Sequence, residues 1–170
     1  MAESDRMVNG STGQPISPWR VRRAEQQDAD AVAQAVVELL VELGGDAPEM
    51  SGMQAAAREL IDSEQLGIVL VAEDDVGQLI GVLAASWPAA IHAAGGYGLI
   101  QDLWVKPSWR GQEVGSDLLA AFARSARHRG ITRLEVGLPR DTFAALASTQ
   151  SFYETNGFAP LGPRLRRVIT

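Results

Sequence analysis

The 170-residue sequence contains no cysteine and only two histidines. Without cysteine, disulfide bonds, cysteine-ligated zinc and a covalent cysteine intermediate are excluded. The histidines, His92 and His128, are far apart in the sequence and have no carboxylate cluster beside them. Neither a metal centre nor a Ser-His-Asp triad is therefore indicated, and we expect a site without a metal ion.

A long hydrophobic run and an excess of positive charge are also missing. No apolar run approaches the ~20 residues that span a bilayer, and the first residues lack the pattern of a signal peptide. The formal net charge of −6 argues against general attraction to nucleic acid and favours a cationic amine as ligand. We expect a cytoplasmic protein with neither a membrane nor a nucleic-acid partner.

Hydrophobic periodicity predicts one α/β domain over residues 19–170, preceded by a disordered polar leader over residues 1–18. Strands are predicted at 19–24, 68–73, 79–86, 97–105, 131–138 and 158–170. Helices are predicted at 28–44, 50–63, 114–129 and 142–155, and residues 87–96 as a flexible loop. This order is typical of a mixed, mostly antiparallel twisted sheet flanked by helices, with one right-handed crossover.

The most informative segment runs from Gln101 to Leu119 and predicts a strand, a turn and a glycine-containing loop that enters a helix. Unpaired backbone N–H groups at such a helix start, together with the helix dipole, suit a phosphate or pyrophosphate. The spacing from Arg110 to Gly115 matches neither G-x-G-x-x-G nor G-x-x-x-x-G-K-[ST]. The common nucleotide-binding motifs are therefore not indicated.

This loop resembles the acyl-CoA pyrophosphate loop of the GNAT N-acetyltransferase superfamily, whose pattern is [RQ]-x-x-G-x-[GA]. Arg110 and Gly115 occupy its first and last positions. Four other residues suit the usual R-G-Q-G-[IV]-G-S variant: Gly111, Gln112, Val114 and Ser116. Glu113 stands where the family has its first motif glycine. We expect a right-handed backbone there, with the side chain in solvent and weaker cofactor affinity than a glycine loop gives.

The resemblance implies the GNAT fold and acetyl-CoA as the co-substrate. It also implies that the backbone of Leu103, Trp104 and Val105 hydrogen-bonds the pantetheine arm like an additional strand. Such pairing uses main-chain groups alone, so the side chains at these positions do not test it.

The sequence S-F-Y-E-T-N-G-F at residues 151–158 resembles the F-Y-x-x-x-G-F signature of the same family. In that family the tyrosine often lies near the cofactor sulfur and protonates the departing thiolate. The resemblance makes Tyr153 the candidate general acid. A packed tyrosine with a hydrogen-bonded hydroxyl explains the residue equally well when it is considered alone. Its distance in sequence from the anion loop favours the catalytic role.

Gln101 and Asp102 lie where several GNAT subgroups carry an acidic pair whose first member is often the base. Gln101 cannot accept a proton, so Asp102 is the candidate base, directly or through water. A structural role, in capping a turn or pairing with an arginine, is the alternative. Strict alternation puts the two side chains on opposite faces, whereas a bulge, which GNAT sheets carry in this strand, would reverse that parity. The sequence therefore does not decide which face of the sheet carries the cleft.

These features together predict an N-acetyltransferase that acts on a small primary amine by direct attack in a ternary complex. The alternative is an acyl-CoA-binding regulatory or sensor module without turnover, which Glu113 and Gln101 favour. A phosphate-binding module for another nucleotide is a third hypothesis. Three roles stay open for the arginine-rich run at residues 163–167: a solvated edge, a contact with a partner subunit in a homodimer, or a contact with an acidic substrate.

Overall fold

The computed structural model describes residues 17–162. The predicted leader, except for its last two residues, and the arginine-rich run at 163–167 lie outside this part. Seven strands are described: β1 Trp19–Arg23, β2 Gly67–Asp74, β3 Leu79–Ser86, β4 Ala89–Ala90, β5 Gly95–Gly96, β6 Gly98–Val105 and β7 Leu134–Val136. Four α-helices accompany them: α1 Ala29–Glu42, α2 Met50–Asp62, α3 Val114–His128 and α4 Leu146–Thr155.

The main sheet has the strand order β1-β2-β3-β6-β7. Its first four strands pair antiparallel, and β6 pairs parallel with β7 across the connection that contains α3. The predicted mixed, mostly antiparallel sheet is thereby confirmed. Residues 87–96, predicted as a loop, contain a separate small hairpin of β4 and β5.

Hydrophobic clusters cover both faces of this sheet. On one face α3 buries the positions predicted from its periodicity: Val114, Leu118, Leu119, Phe122 and Ala126. Tyr153 of α4 belongs to the same cluster, and we call this side the α3 face. On the other side, the α1–α2 face, Val32 and Ala35 of α1 share a cluster with Val82 and Trp104. The central strands are therefore covered on both faces, which fixes their register.

Two predicted elements are shorter in the structure than in the sequence analysis. The strand predicted at 131–138 is ordered as a strand only at Leu134–Val136, and α4 begins at Leu146 rather than at 142. Gly137 follows β7 directly, and Pro139 lies two residues further along the chain. Glycine weakens a strand, and proline cannot donate to the ladder. Residues 158–162, predicted to begin the last strand, contain no strand, and the rest of that prediction lies outside the described residues.

Candidate functional site

A β-bulge in β6 brings Gln101 and Asp102 to the same face of the sheet. The register between β3 and β6 shifts so that Ala84 faces Asp102 while Ala85 faces Ile100, which leaves Gln101 as the additional residue. Ala84 packs on the α1–α2 face, so its partner Asp102 lies on that face. Gln101 donates from Nε2 to Oγ of Ser86, 2.9 Å away, which also places it there. The parity question that the sequence left open is resolved in favour of the bulge.

Beyond the bulge, one edge of β6 has no strand partner among residues 17–162. The strand β7 pairs only with the start of β6, from Gly98 to Ile100. The N–H of Lys106 donates to the carbonyl of Ile80 on β3. Because backbone groups alternate along an antiparallel ladder, those of Leu103 and Val105 point away from β3 and those of Trp104 point toward it. We call the edge over residues 101–105 the open edge.

The connection from β6 to α3 is a tight loop with two left-handed residues. Gly111 has φ +74° and Glu113 has φ +71°. The expectation of a right-handed Glu113 is therefore wrong. Its carbonyl accepts the first helical hydrogen bond, from the N–H of Asp117 at 2.9 Å, so the chain must turn into the helix at this residue. A left-handed backbone costs a non-glycine residue roughly 1–2 kcal/mol.

The loop and the start of α3 form a concave set of backbone donors. A left-handed residue followed by a right-handed one makes successive N–H groups converge, the geometry of an anion-binding nest. Glu113 and Val114 form such a pair. The N–H groups of the first turn, at Val114, Gly115 and Ser116, have no partner within the helix, and the positive end of the dipole of this 15-residue helix lies there.

Arg110 connects this loop to the open edge and to α1. Its Nε donates to the carbonyl of Val105 at 2.9 Å. Its Nη2 lies 2.7 and 2.9 Å from the two carboxylate oxygens of Glu42, the last residue of α1. No sequence motif predicts that Glu42 pairs with Arg110, which is 68 positions away in the chain. Gln112, also predicted to bind cofactor, donates from Nε2 to the carbonyl of Ser108 at 3.1 Å.

Gly115 allows α3 to approach α4 closely. A Cβ atom built on it would lie 3.0 Å from Cζ of Phe152 and 3.7 Å from Cγ2 of Val105. The glycine therefore faces Phe152, the residue before the candidate acid, and its missing side chain serves helix packing.

Tyr153 is held by aromatic packing and by the turn that follows α4. Gly157 has φ +86°, and the N–H of Phe158 donates to the carbonyl of Tyr153 at 3.0 Å. This turn brings Phe158 edge-on to the tyrosine ring, with centroids 5.4 Å apart, and Phe152 packs at 5.2 Å. The spacing in F-Y-x-x-x-G-F therefore has a structural explanation: the glycine allows a turn that packs the second phenylalanine against the tyrosine.

The charge of Asp102 acts on the other candidate catalytic group, Tyr153. Burial, and to a smaller extent the charge of Asp102, raise the pKa of Tyr153 to about 12, so the hydroxyl is protonated at neutral pH. Burial also raises the pKa of Asp102. No hydrogen bond or ion pair reaches the Asp102 carboxylate from any residue within 17–162, so the structural pairing with an arginine is not seen there.

The structure brings the predicted site residues together around the open edge. Leu103 and Val105 direct backbone groups to it, and the loop from Arg110 adjoins its end. Asp102 lies on the α1–α2 face, whereas Tyr153 is packed on the α3 face. Trp104 differs from the prediction, because its backbone points to β3 and its side chain is in the α1–α2 core.

Within residues 17–162, no three side chains of the metal-binding types lie close enough together to hold an ion. Over the same residues, no helix has the length and apolar character to cross a membrane.

Comparison with known proteins identifies the family. The family model described as an acetyltransferase (GNAT) domain matches residues 65–160, which is more than half of the chain. The chain is 32% identical to "IAA acetyltransferase" of Azospirillum brasilense, over 79% of this chain and 84% of that protein. It is 29% identical to "Aminoalkylphosphonate N-acetyltransferase" of Salmonella typhimurium, over 71% and 75% of the two chains.

A solved structure of AAC(6')-Iy, in complex with the bisubstrate analog CoA-S-monomethyl-acetylneamine, has the same fold. Its TM-score is 0.74 at 16% identity, with 91% of this chain and 99% of that chain covered. The chain belongs to the GNAT acetyltransferase family and is an acetyl-CoA-dependent N-acetyltransferase.

Proposed function

We propose that this enzyme transfers the acetyl group of acetyl-CoA to a primary amine of a small molecule, by direct attack within a ternary complex. The observation that carries the proposal is the open edge of β6, bounded at its end by the α3 N-terminus and flanked by Asp102. A thioester lying along that edge would have backbone donors on one side and an unpaired carboxylate near its reacting carbon. Such a site needs no covalent enzyme intermediate, which suits a chain without cysteine.

The pyrophosphate of the co-substrate would bind at the start of α3 and in the loop before it. The unpaired N–H groups of Val114 to Ser116 and the nest at Glu113 supply donors for it. Arg110 is half exposed in its pair with Glu42, and exposed pairs of this kind contribute only ~0–1 kcal/mol. That pair therefore does not prevent Arg110 from contacting a phosphate as well.

The pantetheine arm would pair with the backbone of Leu103 and Val105 like a short additional strand. The carbonyl of Val105 already accepts one hydrogen bond from Arg110, whereas the N–H of Val105 and both groups of Leu103 are not used by any described residue. The thioester carbonyl would then lie near the bulge in β6. A backbone N–H there would donate a hydrogen bond to the carbonyl oxygen and stabilise the negative charge that develops on it.

An ammonium group first releases one proton to solvent. The nitrogen of the resulting neutral amine then forms a bond to the thioester carbon, and the C–S bond breaks. The proton lost by the nitrogen goes to Asp102, directly or through a water molecule. Tyr153 donates a hydrogen bond to the departing sulfur. Since its pKa of about 12 is well above the ~8.5 of a typical thiol, this bond stabilises the thiolate more than it delivers a complete proton.

A cationic amine suits the acceptor side for two reasons. Asp102 is a half-buried carboxylate without a counter-ion in residues 17–162, so an ammonium group would relieve the cost of its burial. The net charge of −6 also favours the approach of a cation. One relative is named for an aminoalkylphosphonate, a small molecule with a cationic amino group and an anionic phosphonate, so it supports the amine and not a net positive charge.

The test combines binding with turnover. Thermal shift with acetyl-CoA, longer acyl-CoAs and adenine nucleotides measures cofactor choice, and thiol release measures acetyl transfer to 2-aminoethylphosphonate, tyramine and spermidine. We expect acetyl-CoA to stabilise the protein and at least one amine to accelerate thiol release. Binding without accelerated release would support the regulatory alternative, and equal stabilisation by adenine nucleotides would support a site for another nucleotide.

A further inference from the structure

The bulge in β6 gives the acceptor side of the site two different oxygen acceptors. The carboxylate of Asp102 and the side-chain amide of Gln101 lie on the same α1–α2 face, in consecutive residues. One is charged and can take a proton, and the other is neutral and cannot. The sequence motif, in which the family often has an acidic pair, does not show that the two share a face.

The amide of Gln101 is oriented by Ser86. Its Nε2 donates to the Ser86 Oγ at 2.9 Å, and Ser86 is the last residue of β3. The amide is planar, so this bond leaves Oε1 directed away from Ser86. No residue within 17–162 donates to Oε1. The exposed end of Gln101 is therefore a hydrogen-bond acceptor without a protein donor.

The chemistry of direct attack defines what such an acceptor can do. A neutral primary amine carries two N–H bonds and one lone pair, and the lone pair must point at the thioester carbon. The two N–H bonds then point away from the reacting carbon, and each is hydrogen-bonded to an acceptor supplied by the protein or by water. Asp102 can accept the hydrogen bond from the N–H that is to lose its proton, and a neutral oxygen is suited to the other.

We propose that Gln101, held by Ser86, accepts the second N–H of the attacking amine and makes the enzyme selective for primary over secondary amines. The inference rests on the proposed function and specifies its acceptor. A secondary amine has a single N–H, which Asp102 accepts, so Oε1 of Gln101 loses its partner and meets an alkyl group. Because Gln101 is exposed, water can replace part of the lost contact, and the expected discrimination is that of one net hydrogen bond, about tenfold. Gln101 is the specificity-determining residue, and Ser86 is a positioning residue that acts through it.

The experiment compares each active amine with its N-methyl counterpart, using tyramine and N-methyltyramine, and 2-aminoethylphosphonate and its N-methyl derivative. The measured quantity is the ratio of kcat/KM for the primary amine to kcat/KM for the secondary amine. For Gln101→Ala we expect this ratio to fall about tenfold, the effect of one lost hydrogen bond. The affinity for acetyl-CoA in calorimetry stays at the wild-type value. Gln101→Met, which keeps the length of the side chain, lowers the ratio similarly.

Ser86→Ala and Ser86→Thr test the positioning role. We expect Ser86→Ala to lower the ratio by a smaller factor, because the amide of Gln101 is still present but no longer fixed. Ser86→Thr keeps the hydroxyl and restores the ratio. Gln27→Ala, at an exposed glutamine in the turn before α1, is the matched control and leaves the ratio unchanged.

The outcomes separate this inference from the function on which it rests. If the wild-type enzyme acetylates no amine, the proposed function fails and the inference fails with it. If the wild-type enzyme acetylates tyramine or 2-aminoethylphosphonate but folded Gln101→Ala and Gln101→Met keep the wild-type ratio, only the role of Gln101 is overturned. A fall in acetyl-CoA affinity without a change of ratio would also overturn it, since Gln101 would then belong to the cofactor side.

Discussion

Two carboxylates of the same sheet, Glu73 on β2 and Asp102 on β6, differ in their ion pairing and in the direction of their pKa shifts. Glu73 is 6% exposed and is bonded by the guanidinium groups of Arg20 and Arg22. Arg22, and then Arg20, hold its pKa below the ordinary value. Asp102 has no such partner among the described residues, and burial raises its pKa. The paired Glu73 supports the fold, whereas the unpaired Asp102 with its raised pKa is consistent with the role in catalysis that we propose for it.

The residues around each carboxylate differ in the same way: those near Glu73 are hydrogen-bonded, and those near the open edge include groups without a partner. Near Glu73, Asp28 pairs with Arg22 and also accepts the N–H of Glu25. Around the open edge, by contrast, Tyr153 has no hydrogen-bond partner for its hydroxyl within 17–162, and Glu113 has a left-handed backbone. These two departures from ordinary folding rules lie around the open edge, where the chemistry is proposed.

The largest effect is expected for Asp102→Asn, which separates activity from stability. Loss of a general base should lower kcat/KM about 100-fold. Because the native pKa of Asp102 is raised, its carboxylate destabilises the fold increasingly as pH rises from the ordinary value of 3.8 through the native value. The asparagine variant should therefore be more stable than the wild type at neutral pH and equal to it in acid, as measured by urea unfolding. A variant that is less stable at neutral pH would show that Asp102 is paired after all.

The converse change, Glu73→Ala, should affect stability and leave catalysis intact. Removal of the carboxylate leaves Arg20 and Arg22 without their shared counter-charge, and we expect the free energy of unfolding to fall by about 2 kcal/mol. Since the native pKa of Glu73 is lowered, its stabilisation is complete above the ordinary value of 4.5 and is lost as pH falls through the native value. The difference from the wild type should accordingly shrink in acid. A specific loss of kcat below the melting temperature would contradict the structural role.

Tyr153→Phe tests the second unpaired group of the site. The ring contacts with Phe152 and Phe158 are kept, so stability and acetyl-CoA affinity should change little. Single-turnover acetyl transfer should fall ~10-fold or more if the hydroxyl assists departure of the thiolate. Wild-type single-turnover rates in the folded variant would reduce Tyr153 to a packing residue beside the open edge.

The smallest effect is expected for Glu113→Gly, which combines two contributions. The glycine removes a backbone cost of roughly 1–2 kcal/mol but adds ~0.5–1 kcal/mol of unfolded-state entropy, so the melting temperature should rise slightly. It also removes a negative charge near the expected pyrophosphate, so acetyl-CoA should bind more tightly, with a difference that shrinks in salt. Glu113→Gln is the matched control, because it removes the charge and keeps the strain. Weaker binding by the glycine variant would mean that Glu113 contributes positively.

The sequence predicts the order of the main elements and the buried face of α3 because both depend on local periodicity. It does not predict the shared face of Gln101 and Asp102, since that depends on the register between β6 and a strand formed by distant residues. The sequence does not predict the left-handed Glu113, because a glutamate ordinarily avoids that conformation and only the path of the loop into α3 imposes it. Nor does it predict the Arg110–Glu42 pair, because that pair joins two elements by tertiary contact alone.

The contact between Gly115 and Phe152 has a consequence for how this enzyme can vary. Even an added methyl group at position 115 would lie 3.0 Å from the phenylalanine ring, so Phe152 would have to move by a few tenths of an ångström. The next residue is Tyr153, and the same glycine lies in the first turn of α3. One small substitution would therefore shift both the first turn of α3, where we propose that the pyrophosphate binds, and Tyr153, whose hydroxyl we propose assists departure of the thiolate. Because α3 and α4 approach so closely at Gly115, the proposed site can accept only changes in the distance between these helices of less than one bond length.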